Sequence, residues 1–98
     1  MVSQLLSLDD YCVFTFATTS NALKAEKELK NAEAEFIIMP TLREISSSCG
    51  LSVKIRPDNK NNTLGILSGQ GVPVEAVYHV LRQDKHNQVI KLEQVSQA

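Results

Sequence analysis

The chain has little cysteine and histidine, two residue types that often bind metals. Its 98 residues include only two cysteines, Cys12 and Cys49, with no Cys-x-x-Cys pair. Such a pattern excludes a disulfide framework or a structural zinc site and is typical of a reducing compartment. Neither His79 nor His86 has a carboxylate or cysteine at metal-ligand spacing, and the Gly-Gln-Gly at 69–71 lacks the rest of a phosphate-binding fingerprint. We therefore expect no metal and no cofactor.

The chain also lacks an excess of charge of one sign and a long apolar run. Ten basic and 11 acidic residues give a net charge of -1, so there is no positive field to attract nucleic acid or an anionic membrane. No apolar stretch approaches the length of a membrane span. The first ten residues have neither a basic region nor a long apolar core, which predicts that they are not a secretory signal. We expect a cytoplasmic protein.

The length predicts a single domain over residues 1–98, with a core of about 11–82 and a C-terminal extension over 83–98. A chain of this size buries about two-thirds of its unfolded surface. That is enough for one sheet covered on one side.

The first part of the chain predicts a strand followed by a helix. Residues 11–16 alternate, so that Cys12 faces the same way as two phenylalanines and is interpreted as a core residue. The helix is expected over 20–32, with Thr19 or Ser20 as its N-cap and a left-handed Asn31 at its end. The hydroxyls of Thr18, Thr19 and Ser20 are also a candidate site for a small anion, although N-capping is the stronger interpretation.

The later segments predict three more strands and a second helix. The apolar run at 35–39 predicts a largely buried strand stopped by Pro40, 51–56 a third strand, and 58–69 a helix. Residues 74–82 fit both periodicities; a polar turn at 84–87 and a second β-rich run at 89–92 favour a strand and an added hairpin. The resulting order predicts an α+β protein, a ferredoxin-like split βαβ sandwich (βαββαβ) with a C-terminal strand or hairpin extension.

The segment most indicative of chemistry is Arg43-Glu44-Ile45-Ser46-Ser47-Ser48-Cys49-Gly50. A thiol acts as a nucleophile only as its thiolate, which the Arg43 guanidinium and the hydroxyls of Ser46, Ser47 and Ser48 would stabilise. Gly50 would let the backbone turn and leave the sulfur approachable. The alternative is that the serines end a short helix and Cys49 is a small buried apolar residue.

Two segments together resemble the selenium/sulfur carrier-like family of small bacterial proteins: residues 22–30, with Ala22-Leu23-x-Ala25-Glu26, and residues 40–51, with Pro40-Thr41-x-Arg43 running into Cys49-Gly50-Leu51. The resemblance covers roughly residues 11–80. It implies that Cys49 carries sulfur or selenium and that the partner is a sulfur-relay or selenium-metabolism protein. Leu42 stands where family members often have a second proline, and Ser20 where they often have a histidine.

Three classes of function remain in order of preference. The first is a carrier that uses Cys49 as a persulfide or perselenide acceptor. The second is a non-catalytic ferredoxin-like module that binds a protein or a small anion through a sheet edge or the 41–50 loop. An independent enzyme comes last, because no general base accompanies the thiol within the motif. A homo-oligomer formed through the C-terminal hairpin is left open.

Overall fold

The structure is a computed structural model that describes residues 5, 8–45, 47 and 49–94. Its elements are β1 (Asp10–Thr15), α1 (Thr19–Asn31), β2 (Ile37–Pro40), β3 (Leu51–Ile55), a 3-10 turn (Pro57–Asn59), α2 (Lys60–Gly69), β4 (Ala76–Gln83) and β5 (His86–Gln94). The five strands form one open sheet in the order β2-β3-β1-β4-β5, and every neighbouring pair is antiparallel. The α+β class, the order of the elements and the added C-terminal hairpin are as predicted.

The central position of β1 follows from its composition. Its residues Cys12 and Phe14 are at most 2% exposed on one face, and Tyr11 and Val13 at most 5% on the other. Ala22, Ala25 and Leu29 of α1 join Phe14 in the same apolar core. Small alanines let a helix lie close to a sheet.

The second face of the sheet is also covered, so the prediction of a sheet covered on one side is wrong. Tyr11, Val13 and Val80 pack there with Ile45, which the segment after β2 brings back over the sheet. Lys54 lies on this face at 7% exposure with its Nζ 4.1 Å from the centre of the Tyr11 ring. Burial lowers the pKa of Lys54 below that of a lysine in water.

The ends of α1 differ from the prediction by one or two residues. Thr18, rather than Thr19 or Ser20, is the N-cap, because its Oγ1 accepts the Asn21 N–H at 3.1 Å. At the other end the left-handed residue is Glu33 (φ 57°), not Asn31, which is still helical. The N–H of the residue after Glu33 reaches back to the Leu29 carbonyl at 3.0 Å, which satisfies the helix end.

Strand β2 is only half-buried, not largely buried as its apolar run predicted. The reason is its place at the edge of the sheet, where it pairs with β3 alone. An edge strand tolerates the proline that ends it, Pro40, because no second neighbour needs its missing N–H.

At the opposite edge, Asp84 (φ 55°) and Lys85 (φ 138°) make the β4–β5 turn. His86 was predicted in the turn but is the first residue of β5, where its side chain is exposed. His79 on β4 is only partly exposed, and its Nε2 lies 2.5 Å from Asp10 Oδ1. In the described part of the chain, no helix is long and apolar enough to cross a membrane.

Candidate functional site

The segment that joins β2 to β3 carries the motif and is held closed at its base. The N–H of Thr41 donates to the Gly50 carbonyl at 3.0 Å, and the Thr41 hydroxyl donates to the Cys49 carbonyl at 2.9 Å. The Thr41 hydroxyl also lies 2.7 Å from the hydroxyl of Ser52, which is fully buried. Cys49 thus sits at the rim of the sheet, just before β3, as predicted.

The sulfur of Cys49 is turned inward. The residue is 1% exposed and belongs to the apolar core that contains Phe14 and Phe16. Its Sγ donates to the Leu51 carbonyl at 3.2 Å and accepts the Leu51 N–H at 3.4 Å. The expectation of an approachable sulfur is therefore wrong for this conformation, in which the core encloses the sulfur.

Gly50 does not have the conformational role predicted for it. Its backbone is not in the left-handed region, where Gly71 is the glycine concerned. A Cβ built on Gly50 would meet nothing within 4 Å. The turn at the motif is therefore compatible with other residues at this position.

Ser47 links Cys49 to a carboxylate outside the motif. Its hydroxyl accepts the Cys49 N–H at 3.3 Å and lies 2.9 Å from Glu75 Oε1, to which it donates. The Phe16 carbonyl is a second, longer acceptor at 3.3 Å. Ser46 and Ser48, predicted as further donors to the thiolate, lie outside the described residues.

Glu75 is the site residue that the sequence interpretation missed. It is 28 positions from Ser47 in the chain, so no local motif connects them. It lies next to the motif because its N–H donates to the Thr15 carbonyl at 2.8 Å, where β4 begins beside the end of β1. A carboxylate near the start of the strand predicted over 74–82 was the signal available.

Arg43 lines a different place. It is exposed beside an open groove of about 430 Å³ whose other lining residues are Met39, Pro40, Thr41, Leu42, Glu44 and Asn87. Cys49 does not line this groove. At its far side Asn87 of β5 donates to Glu44 at 3.4 Å. Among the residues that the structure describes, the Leu51 amide donates to the sulfur, and the predicted Arg43 guanidinium does not.

The three hydroxyls predicted as an anion site lie near the same end of the sheet, where β1 leads into α1. All three are exposed, and Thr18 is the N-cap of α1. N-capping is the role that the structure shows for the Thr18 hydroxyl.

The other cysteine is part of the core. Cys12 is 2% exposed on β1 and lies in register with His79 on β4 and Ile55 on β3. Burial raises the pKa of its thiol above the ordinary value, which opposes formation of the thiolate. The interpretation of Cys12 as a structural residue is confirmed. Within the described ranges, no group of His, Cys, Asp and Glu is arranged to hold a metal ion.

Comparison with models of known protein families places the chain in a family. The model of a family described as "Putative Se/S carrier protein-like" matches residues 11–79, which contain both cysteines, the 43–50 motif and Glu75. Strand β5 lies beyond the matched residues. No curated protein and no solved structure is similar enough to this chain to count as a match. Since the family model covers more than half of its residues, the chain belongs to the Se/S carrier protein-like family.

Proposed function

We propose that Cys49 accepts a sulfane sulfur or selenium atom as a persulfide or perselenide and passes it to a partner protein. The observation that carries the proposal is the family match over residues 11–79, which includes Cys49 within its serine-rich motif. The N–H of Leu51 supports it, because this N–H is a hydrogen-bond donor already directed at the Cys49 sulfur, at 3.4 Å.

The transfer is an exchange that needs no outside oxidant. The Cys49 thiolate attacks the outer sulfur of a donor persulfide, R–S–SH. The bond between the two donor sulfurs breaks, the inner sulfur leaves as the thiolate R–S⁻, and Cys49 becomes the persulfide. A perselenide forms in the same way when the outer atom is selenium. The thiol proton goes to solvent and the leaving thiolate takes one up.

The buried sulfur adds a requirement. A donor protein reaches the Cys49 Sγ only when the polar contacts around the motif open, since the residue is 1% exposed in the closed form. Opening also breaks the hydrogen bond from the Cys49 thiol to the Leu51 carbonyl, in which the sulfur and the oxygen are 3.2 Å apart. In the opened form Arg43, Ser46 and Ser48 are the proposed further donors to the thiolate.

The proposal also covers where the reaction takes place and the fold of the protein. We place the reaction in the cytoplasm, with a sulfur-relay or selenium-metabolism protein as the partner.

Two strand pairs of the sheet, β1 with β2 and β3 with β4, each enclose one antiparallel strand between them. This is the arrangement on which we base a ferredoxin-like, split βαβ interpretation, with β5 as an addition.

Cyanolysis tests the proposal. The protein is incubated with a cysteine desulfurase and cysteine, separated from both and treated with cyanide, which removes sulfane sulfur as thiocyanate. We expect about one equivalent of thiocyanate from the native protein and from Cys12→Ser, and none from Cys49→Ser. Equal thiocyanate from the native protein and Cys49→Ser would remove the basis of the proposal.

A binding module is the second candidate, and the burial of Cys49 is the observation that favours it. In that case the exposed Arg43 and its groove hold a protein or a small anion, and the thiol serves only in packing. Cys49→Ser then leaves partner binding intact, whereas Arg43→Ala weakens it. A carrier instead loses sulfur transfer entirely in Cys49→Ser.

A further inference from the structure

We propose that Glu75 is a positioning residue that holds Cys49 in its buried place through Ser47. The inference deepens the proposed function and rests on the role given there to Cys49. It assigns control of the reactive sulfur to a carboxylate that lies outside the 43–50 motif.

The direction of the hydrogen bonds supports this assignment. The Ser47 hydroxyl has one proton and two possible acceptors, Glu75 Oε1 at 2.9 Å and the Phe16 carbonyl at 3.3 Å. The carboxylate is both the nearer and the stronger acceptor, so the proton is directed to Glu75. The lone pairs of Ser47 Oγ then accept the Cys49 N–H at 3.3 Å. Glu75 thereby sets the orientation of the hydroxyl that holds the Cys49 backbone.

The sheet fixes Glu75 independently of the motif. Its backbone N–H donates to the Thr15 carbonyl at 2.8 Å, directly before β4 begins to pair with β1. The carboxylate is therefore attached to the rigid part of the molecule, while Ser47 and Cys49 belong to the connection between two strands. The Ser47–Glu75 hydrogen bond couples that connection to the sheet.

A second attachment of the same connection does not involve Glu75. The Thr41 hydroxyl holds the Cys49 carbonyl at 2.9 Å. Loss of the Ser47 link frees the N–H side of Cys49 and leaves the carbonyl side in place. We expect such a loss to raise the fraction of molecules with an open motif without unfolding the sheet.

The two cysteines provide the measurement and its internal reference. Both are at most 2% exposed, but Cys12 lies on the central strand and becomes accessible only when the sheet opens. Iodoacetamide is added to the native protein, and the alkylation rate of each cysteine is determined from the masses of its peptides. The ratio of the Cys49 rate to the Cys12 rate reports opening of the motif alone.

Three variants separate the hydrogen bond from mere packing. Glu75→Leu removes the nearer and stronger of the two acceptors, Ser47→Ala removes the hydroxyl, and Glu75→Gln keeps a carbonyl oxygen that accepts from Ser47. We expect Glu75→Leu and Ser47→Ala each to raise the rate ratio about tenfold, the loss of one hydrogen bond. The double variant should rise no further than either single one. Glu75→Gln should stay within about threefold of the native ratio.

An unchanged ratio in both Glu75→Leu and Ser47→Ala, or both cysteines accelerating together, would overturn the proposal, because Glu75 would then be a general stabilising residue. Additive effects in the double variant would do the same. Loading with sulfur is measured on the same samples. A raised ratio without loading refutes the carrier function and leaves the positioning role standing, whereas loading of Cys49 with an unchanged ratio does the reverse.

Discussion

Thr41 and Cys49 are joined by a hydrogen bond of 2.9 Å from the threonine hydroxyl to the cysteine carbonyl. Because that hydroxyl has a single proton, the Ser52 hydroxyl 2.7 Å away must be the donor in the contact between them. A chain of two hydroxyls therefore fixes the base of the motif to the buried start of β3.

Thr41→Val keeps the shape of the side chain and removes this link. The Cys49 carbonyl loses a donor and the buried Ser52 hydroxyl loses its acceptor, so we expect the free energy of unfolding to fall by about 1–3 kcal/mol. Thr41→Ser keeps the hydroxyl and is the matched control, with a smaller loss. Urea denaturation of both variants measures the difference, and equal losses would contradict the account.

Thr18 is the one member of its hydroxyl cluster that caps α1. Thr18→Ala should lower the free energy of unfolding by about 1 kcal/mol, because the Asn21 N–H loses its acceptor. Ser20→Ala, two residues further along the chain, should change the free energy of unfolding by less than about 0.5 kcal/mol. Thermal unfolding of the two variants makes the comparison. A larger loss in Ser20→Ala would instead support the cap predicted from the sequence.

Glu33 occupies a left-handed position, φ 57°, at the end of α1. A side chain costs about 1 kcal/mol or more in this conformation, whereas glycine adopts it freely. We therefore expect Glu33→Gly to raise the free energy of unfolding by about 1 kcal/mol. Ala32→Gly, at a right-handed position (φ -85°), is the control and should give no gain. Urea denaturation measures both effects, because a shift of the midpoint with an unchanged m value reports a change in the free energy of unfolding.

Glu35 accepts a hydrogen bond from Arg56 Nε at 2.6 Å, and this bond lowers the pKa of its carboxyl. A carboxyl with a lowered pKa in the folded state stabilises the protein above the pKa of the unfolded chain and loses that effect as the pH falls through its folded pKa. The native protein should therefore be more stable than Glu35→Gln at pH 7, and the difference should shrink once the pH falls below the ordinary pKa of a glutamate and vanish below the lowered pKa of the folded state. The two stability profiles, subtracted from each other, isolate this pair; a constant difference would contradict the prediction.

Much of the fold could be predicted because local patterns agree with it. The alternation of residues 11–16 marks the central strand, and the alanine stripe beginning at Ala22 marks the face of α1 on the sheet. Residues 74–82 fit two periodicities, and the β-rich segment after them correctly favoured the hairpin. Where the chemistry and the period of a segment agree, its element is predictable.

The remaining features depend on contacts between distant residues. The half-buried state of β2 follows from its place at the sheet edge, which its own apolar run does not encode. Coverage of the second face depends on Ile45 folding back onto Tyr11. The contact of Ser47 with Glu75 arises from the pairing of β4 with β1, so the motif by itself indicated the proposed nucleophile but not the carboxylate that Ser47 contacts.

The most direct measurement of the central claim is the intact mass of the protein after incubation with a cysteine desulfurase and cysteine, or with selenocysteine and its lyase. The account predicts one added sulfur or selenium atom on the native protein and on Cys12→Ser, removed by a reductant, and no addition to Cys49→Ser. An unmodified native protein whose Cys49 is alkylated under the same conditions would contradict the account, and so would an adduct that persists in Cys49→Ser.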